Sequence, residues 1–191
     1  MKRVIFILIT SLFVLTACTI GDGDVVRQER HVSEFNGISV DGVANVNIRP
    51  GEDYKVIVIT DDNLQHRVLT ETRNNVLYIS IKSWKGVRAT KLVVDVHLPE
   101  LQSLDLSGVG DVRIADGSAT DLVISLSGVG DVDAQNYRVE NVDIHHSGVG
   151  DMKIWATHSL VGTLSGVGDI RYKGNPTVSV KVSGVGKVRE L

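Results

Sequence analysis

The stretch Ser107-Gly108-Val109-Gly110-Asp111 decides the fold, because it recurs along the second half of the chain. The string Ser-Gly-Val-Gly begins five times, at spacings of 20, 20, 18 and 18 residues. A repeat of this length is typical of proteins in which each unit buries its apolar face against the next unit. The predicted repeat-turn residues are a serine, two glycines and an aspartate in each of the first four copies: Ser107, Gly108, Gly110, Asp111, Ser127, Gly128, Gly130, Asp131, Ser147, Gly148, Gly150, Asp151, Ser165, Gly166, Gly168 and Asp169. In the fifth copy, Lys187 replaces the aspartate.

The rest of the sequence also indicates β-strands. Residues 55–59, 76–81 and 91–98 alternate apolar and polar side chains between turn-forming residues, and no window shows a sustained helical period. Aromatic residues make up 5% of the chain against 42% apolar residues, so the core must consist largely of small and β-branched side chains. The formal net charge of -3, with both signs scattered along the chain, argues against a nucleic-acid-binding surface.

Aligning the repeats on their serine places apolar residues in fixed columns. We therefore predict an all-β fold, namely a single-stranded right-handed parallel β-helix (solenoid) with coils of 18 to 20 residues. A fainter copy over residues 41–46 indicates that the same unit starts near the front of the domain. Three of the columns predicted to face inward lie three residues before the serine, one residue before it and two residues after it: Leu104, Ile124, Ile144, Gly162 and Val180; Leu106, Leu126, His146, Leu164 and Val182; and Val109, Val129, Val149, Val167 and Val185.

One place in these columns holds unusual residues. His146 occupies a column otherwise filled by leucine and valine, and Gly162 occupies a neighbouring column of larger apolar residues. We expect the imidazole to lean into the space beside Gly162 and to find a backbone hydrogen-bond partner, because burying it unbonded would cost about 1 to 3 kcal/mol.

The N-terminus has the layout of a secretory signal peptide. Lys2 and Arg3 precede an apolar run over residues 4–14, which is shorter than the roughly 20 residues of a membrane-spanning helix. Leu15-Thr16-Ala17-Cys18 then resembles the lipobox of bacterial lipoproteins, in which the cysteine carries lipid after cleavage; the alternative for a lone cysteine is a buried free thiol. We predict lipidation at Cys18, a signal peptide over residues 1–17, a lipidated N-terminus and flexible tether over 18–30, and the β-helix domain over 31–191. The expected location is the bacterial cell envelope, with a lipid anchor in the outer membrane where the organism has two membranes.

A family resemblance adds to this interpretation. The opening Phe35-Asn36-Gly37-Ile38, the repeated Ser-Gly-Val-Gly-Asp turns and the lipoprotein leader resemble the bacterial family named putative auto-transporter adhesin, head GIN domain. The similarity extends over about residues 33–190. It implies a β-helical fold in an envelope protein, and it brings no catalytic residues with it.

The repeat turns could in principle bind calcium, as shorter glycine and aspartate repeats do. The period here is about twice as long, and a basic residue follows most of the aspartates at a distance of two positions, so a solvated or turn-bonded row of aspartates is the preferred interpretation. His145 and His146 should point to opposite faces of a strand, which argues against a shared metal site. No metal site, cofactor site or catalytic residue is therefore predicted.

Two classes of function remain open. The first is a non-enzymatic adhesin-like or scaffold module whose repetitive β-surface binds a glycan or an envelope protein. The second is a carbohydrate-active enzyme, such as a polysaccharide lyase or hydrolase, because those enzymes also use β-helices. Trp84 and Trp155 would either stack on sugar rings or cap the core. We prefer the binding module, since coils this short leave little room for a catalytic cleft.

Overall fold

The computed structural model describes residues 19–82 and 87–191, so the signal peptide, Cys18 and Trp84 lie outside the described residues. The described elements are β1 Thr19–Ile20, β2 Val25–Arg30, β3 Gly37–Asp41, β4 Asn45–Pro50, β5 Lys55–Asp61, a 3₁₀ helix Asp62–Arg67, β6 Val68–Arg73, β7 Val76–Ile81, β8 Val87–Arg88, β9 Leu92–Leu98, β10 Ser103–Leu106, β11 Val112–Ile114, β12 Gly117–Leu126, β13 Val132–His146, β14 Met152–Leu164, β15 Ile170–Lys173, β16 Thr177–Val182 and β17 Val188–Glu190. The prediction of an all-β fold is confirmed.

Fifteen of the described strands form one sheet, while β1 and β8 form a separate parallel pair. The main sheet runs in the order β2-β5-β9-β4-β11-β13-β12-β10-β3-β7-β6, and β14 to β17 continue it beyond β13. Strand β13 is 15 residues long and pairs with both β11 and β12, so the sheet turns back on itself there. The result is a nearly closed, barrel-like mixed sheet with the core inside it.

Parallel pairing is most regular around the repeat turns. The column that begins at Leu104 is in register through every unit: Leu104↔Ile124, Ile124↔Ile144, Ile144↔Gly162 and Gly162↔Val180. Between the strands, the turn valines form isolated parallel bridges that run from Val43 to Val185. The register predicted from the 18 and 20 residue spacings is therefore confirmed, and the fainter copy over residues 41–46 belongs to the same stack.

The prediction of a single-stranded right-handed parallel β-helix over residues 31–191 is nevertheless wrong. The sheet is mixed, because β2 pairs with β5, β5 with β9 and β6 with β7 in antiparallel register. Asn74 and Asn75 have positive φ angles of 50° and 61° at the two-residue turn between β6 and β7, and a turn of this kind produces an antiparallel hairpin. Residues 51–98 contain no repeat turn, and the strands there pair in both directions: β7 and β9 pair in parallel with β3 and β4, whereas β5 and β6 pair in antiparallel register.

The structure also differs from the flexible tether predicted over residues 18–30. From Thr19 onward the chain is part of the fold: β1 pairs with β8, and all six residues of β2 pair with β5. The glycines and aspartates of residues 21–24 suggested flexibility, but their backbone groups are hydrogen-bonded to the folded part, as described below.

The core is aliphatic, as the composition predicted. The columns that include Leu104 and Leu106 are buried in the inner units, whereas Val182 in the last unit is 44% exposed. Tyr137 is the largest fully buried side chain among the described residues, and its hydroxyl accepts a hydrogen bond from the Leu101 N–H at 2.9 Å. Within the described residues, no helix has the length and apolar character to cross a membrane.

His146 is fully buried, and its Nε2–H donates to the Gly150 carbonyl oxygen at 2.7 Å. The predicted backbone partner is therefore confirmed, but the expected position beside Gly162 is wrong. The ring lies instead against two turn glycines of the next unit: a Cβ on Gly166 would lie 2.8 Å from Nδ1, and a Cβ on Gly168 would lie 3.3 Å from Nε2. A Cβ on Gly162 would meet the backbone of Ile144.

The repeat turns require glycine because successive units approach closely there. A Cβ on Gly148 would lie 2.1 Å from the carbonyl oxygen of Gly128, far inside van der Waals contact. Gly150 adds a conformational requirement, since its φ of +148° is one that L side chains rarely adopt. Glycine at these positions lets the strands on either side reach hydrogen-bonding distance.

Candidate functional site

A row of side-chain oxygens runs along the repeat turns. The Oδ1 of each member accepts a hydrogen bond from the backbone N–H at the same position in the next unit, at 2.7 to 3.0 Å. Hydrogen bonds to ionised acceptors are roughly twice as strong as neutral ones, so the row helps to hold neighbouring units together. This row, the aspartate ladder, consists of Asn45, Asp111, Asp131, Asp151 and Asp169, and it ends on the amide of Lys187.

Basic side chains flank the ladder. Arg171 Nη2 lies 3.5 Å from Asp151 Oδ2 and 3.6 Å from Asp169 Oδ2, and Arg189 Nη2 lies 2.7 Å from Asp169 Oδ2. The backbone N–H of Lys187, helped by the two guanidinium groups, holds the pKa of Asp169 below its ordinary value despite some desolvation. This carboxyl group is therefore ionised at neutral pH, which is unfavourable for a general acid.

An open groove of about 410 Å³ follows the ladder across β4, β11, β13 and β14. Arg113 Nε lies 4.0 Å from Asp133 Oδ2, so the two charges form only a loose pair. On successive strands the groove carries Arg113, Asp133, Lys153 and Arg171 in register, so basic and acidic side chains lie side by side along it. The polar side chains that the argument below uses are Asn47, Asp111, Arg113, Asp131, Asp133 and Lys153.

A row of valines borders the glycine turns on the outside of the molecule. Their exposed fractions range from 44% at Val43 to 69% at Val185, so the prediction that this column faces inward is wrong. The alternation of a strand does not continue through a turn in which glycines on both sides change the backbone direction. The row consists of Val43, Val109, Val129, Val149, Val167 and Val185.

The predicted repeat-turn residues are brought together as a continuous stack, in which the hydroxyl groups of two serines bond to the backbone. Ser107 Oγ donates to the Val40 carbonyl at 3.2 Å, and Ser165 Oγ donates to the His146 carbonyl at 3.3 Å. His145 is exposed, with Nε2 3.6 Å from Asp143 Oδ1, so the prediction that His145 and His146 face opposite sides is confirmed. The hydroxyl groups of these two serines are hydrogen-bond donors to the backbone and are not placed as nucleophiles.

Trp155 is half-buried, and Lys173 Nζ lies 4.1 Å from its ring centroid. A cation over the ring face occupies the surface on which a sugar would stack. Trp155 is therefore not an open stacking platform, and Trp84 lies outside the described residues.

In the described parts of the chain, residues 19–82 and 87–191, no three histidine, cysteine or carboxylate side chains come close enough to hold a metal ion.

Sequence reasoning missed Asp61, a fully buried carboxylate at the end of β5. No local signal identifies it, because it follows a β-type run as many surface aspartates do.

The chain as a whole can be compared with known proteins. The family described as "Putative auto-transporter adhesin, head GIN domain" matches the chain over residues 34–116 and again over 104–176. This chain is similar to a putative adhesin from Bacteroides fragilis NCTC 9343 of known crystal structure, at 25% identity and a TM-score of 0.61, over 90% of this chain and 99% of that one. A putative lipid binding protein from Parabacteroides distasonis ATCC 8503 shares the fold at 19% identity and a TM-score of 0.51, over 90% of this chain and 98% of that one. Among curated proteins, none matches. Because the two family matches together span most of the sequence, the chain belongs to the putative auto-transporter adhesin, head GIN domain family.

Proposed function

We propose that the chain is a non-enzymatic, adhesin-like binding module of the bacterial cell envelope, anchored by lipid at Cys18, and that the groove along the aspartate ladder is its recognition surface. The observation that carries this proposal is the row of acidic and basic side chains on adjacent strands of the groove. Parallel strands lie about 4.8 Å apart, so these groups form a regular array. Such an array suits a linear polymer whose own polar groups recur along its length.

The chemistry of the groove favours a carbohydrate. Sugar hydroxyls both donate and accept hydrogen bonds, so they can pair with the free oxygens of Asp111 and Asp131 and with the donors of Arg113 and Lys153. Nucleic acid offers a negatively charged phosphate backbone, which the carboxylates would repel. A glycan of the envelope is therefore the proposed ligand class.

The same geometry favours binding over hydrolysis. A glycosidase needs one carboxyl group that is protonated at neutral pH and a second one placed across the bond to be cleaved. In the ladder, Oδ1 of each aspartate already accepts a backbone hydrogen bond, and the pKa of Asp169 is lowered. At Asp169 these contacts favour the ionised form. At Asp111, Asp131 and Asp151 they occupy one oxygen of each carboxyl group with a backbone hydrogen bond.

Sedimentation with purified peptidoglycan sacculi tests the groove. We expect the protein to sediment with sacculi and the double variant Arg113→Glu, Lys153→Glu to bind at least tenfold more weakly. The matched control is Lys82→Glu, Lys181→Glu, which makes the same charge change at exposed positions outside the groove. Equal binding of the two double variants, or no binding of the unmodified protein, would show that the groove does not bind this glycan.

Metabolic labelling tests the anchor. Cells fed an alkyne fatty acid should label the mature protein that begins at Cys18, and the Cys18→Ala variant should carry no label. An unlabelled wild-type protein, or equal labelling of both proteins, would refute the lipid anchor.

A further inference from the structure

Residues 19–24 are held to the folded part of the chain by backbone pairing. Thr19 and Ile20 pair in parallel with Val87 and Arg88, and the N–H of Gly21 donates to the Arg88 carbonyl at 2.8 Å. The chain therefore enters the fold at the first residue that the structure describes.

Asp61 provides the second attachment. It is fully buried, its Oδ1 accepts the N–H of Gly23 at 2.9 Å, and its Oδ2 accepts the N–H of Thr90 at 2.8 Å. Burial alone would raise the pKa of Asp61, but the hydrogen bonds from Thr90 and Gly23 outweigh it and lower the pKa. Gly21 packs so closely on this carboxylate that a Cβ there would lie 2.3 Å from Cγ.

The start of the 3₁₀ helix provides the third attachment. Asn63 donates from Nδ2 to the Ile20 carbonyl at 2.9 Å, and its Oδ1 accepts the N–H of Asp22 at 3.3 Å. The N–H of Asp62 donates to the Asp24 carbonyl at 2.9 Å. Residues 20–24 are thus hydrogen-bonded both to β8 and to residues 61–63. We name this arrangement the Asp61 latch.

We propose that the latch makes the end of the molecule formed by β1, β8 and the start of the 3₁₀ helix a membrane-contacting surface, whose partner is the lipid headgroup layer. This inference rests on the lipid anchor proposed above. Thr19 directly follows Cys18, so no free spacer separates an acyl chain on Cys18 from the latched residues. Ile20 is 64% exposed on this surface, directly beside the position of the proposed anchor, and can contact the headgroup layer.

The other end of the stack of parallel strands, at β17, provides a control position for the test. Six pairings lead from β9 through β4, β11, β13, β14 and β15 to β17, which at about 4.8 Å each gives about 29 Å. Lys91, next to Thr90, and Lys187, next to β17, are both exposed and mark the two ends. Since lipidation consumes the Cys18 thiol, a cysteine introduced at either position can be labelled selectively.

The experiment uses the lipidated protein, residues 18–191, in vesicles of phosphatidylethanolamine and phosphatidylglycerol that contain an acceptor-labelled lipid. Energy transfer is measured from a dye on Lys91→Cys and, separately, on Lys187→Cys, with and without ten Gly/Ser residues inserted between Thr19 and Ile20. Such a linker has a root-mean-square length of about 17 Å. We expect it to lower the transfer efficiency from position 91 at least twofold, and to change transfer from position 187 less.

Each outcome distinguishes the two proposals. Unchanged transfer from position 91 after insertion of the linker, with the protein still floating with the vesicles, would overturn the membrane-contacting surface and leave the lipid anchor standing. Failure of the unmodified protein to float with vesicles would overturn the anchor and the surface together. Asp61→Asn removes the charge at nearly constant size, and with the fold intact by circular dichroism it should lower transfer from position 91 as the linker does.

Discussion

Replacing Gly148 with alanine tests whether close contact between repeat turns holds the parallel stack together. The added Cβ would lie 2.1 Å from the carbonyl oxygen of Gly128, whereas ordinary contact begins at 3.4 Å, so the neighbouring turns must separate by about 1 Å. Two hydrogen bonds cross this contact: Val149 N–H donates to the Gly128 carbonyl at 2.9 Å, and Gly148 N–H donates to the Leu126 carbonyl at 2.9 Å. Strain of about 1 to 3 kcal/mol and about 1 kcal/mol for each weakened bond give a destabilisation of about 4 kcal/mol.

Urea denaturation and thermal unfolding followed by circular dichroism measure this loss. For a chain of this size, 4 kcal/mol corresponds to a decrease in Tm of about 8 to 16 °C. Gly51→Ala is the matched control, because a Cβ at Gly51 meets nothing within 4 Å, and we expect it to change the free energy of unfolding by less than about 0.5 kcal/mol. A Gly148→Ala variant within about 1 kcal/mol of this control would refute the argument that the turns determine the spacing of the units.

Three other expectations concern the ladder and the buried histidine. Asp131→Ala removes the acceptor that lies 2.7 Å from the Asp151 N–H and should cost about 1 to 2 kcal/mol in urea denaturation, whereas Asp116→Ala, at an exposed turn, should cost little. The pKa of Asp169 is lower in the folded chain than its ordinary value of 3.8. The ionised carboxylate therefore stabilises the fold fully above about pH 4, and this stabilisation is lost as the pH falls through the lowered pKa. Asp169→Asn should flatten the acid limb of a curve of unfolding free energy against pH. His146→Leu loses one hydrogen bond but also removes a buried Nδ1 that has no partner among the described residues. The free energy of unfolding of this variant should therefore stay within about 1 kcal/mol of wild type. A loss above about 3 kcal/mol would contradict this balance.

The sequence predicted the parallel register because the information for it is local. A serine, two glycines and an aspartate recur at fixed spacing, and each set forms one turn that can stack only in line with the next, so the pairing of Leu104 with Ile124 follows. The antiparallel β6–β7 hairpin is local, but the antiparallel pairings of β5 with β2 and β9 depend on contacts between distant segments that no repeat marks. The pairing of β2 with β5 joins Val25 to Asp61, which requires that residues 19–30 be ordered in the first place.

As with the fold, the sequence predicted only the part of the candidate site that the repeat determines. The stacking of the repeat-turn aspartates follows from their spacing, whereas the groove beside them depends on β4 and β9, which lie earlier in the chain. Asp61 could not be found, because an aspartate after a β-type run is usually on the surface. The N–H groups that make its burial favourable belong to Gly23 and Thr90, 38 and 29 residues away along the chain.

The aspartate ladder also limits how far a change of charge is felt. Its rungs are about 4.8 Å apart, and the Debye length at physiological ionic strength is about 8 Å, so each carboxylate senses the adjacent rungs and little beyond them. In statistical-mechanical terms the stack is a one-dimensional array with nearest-neighbour coupling. A lysine at position 187 therefore changes the electrostatics of the rung at Asp169 but leaves the rung at Asp111 as it was, and individual units can diverge in charge while the rest of the row keeps its stability.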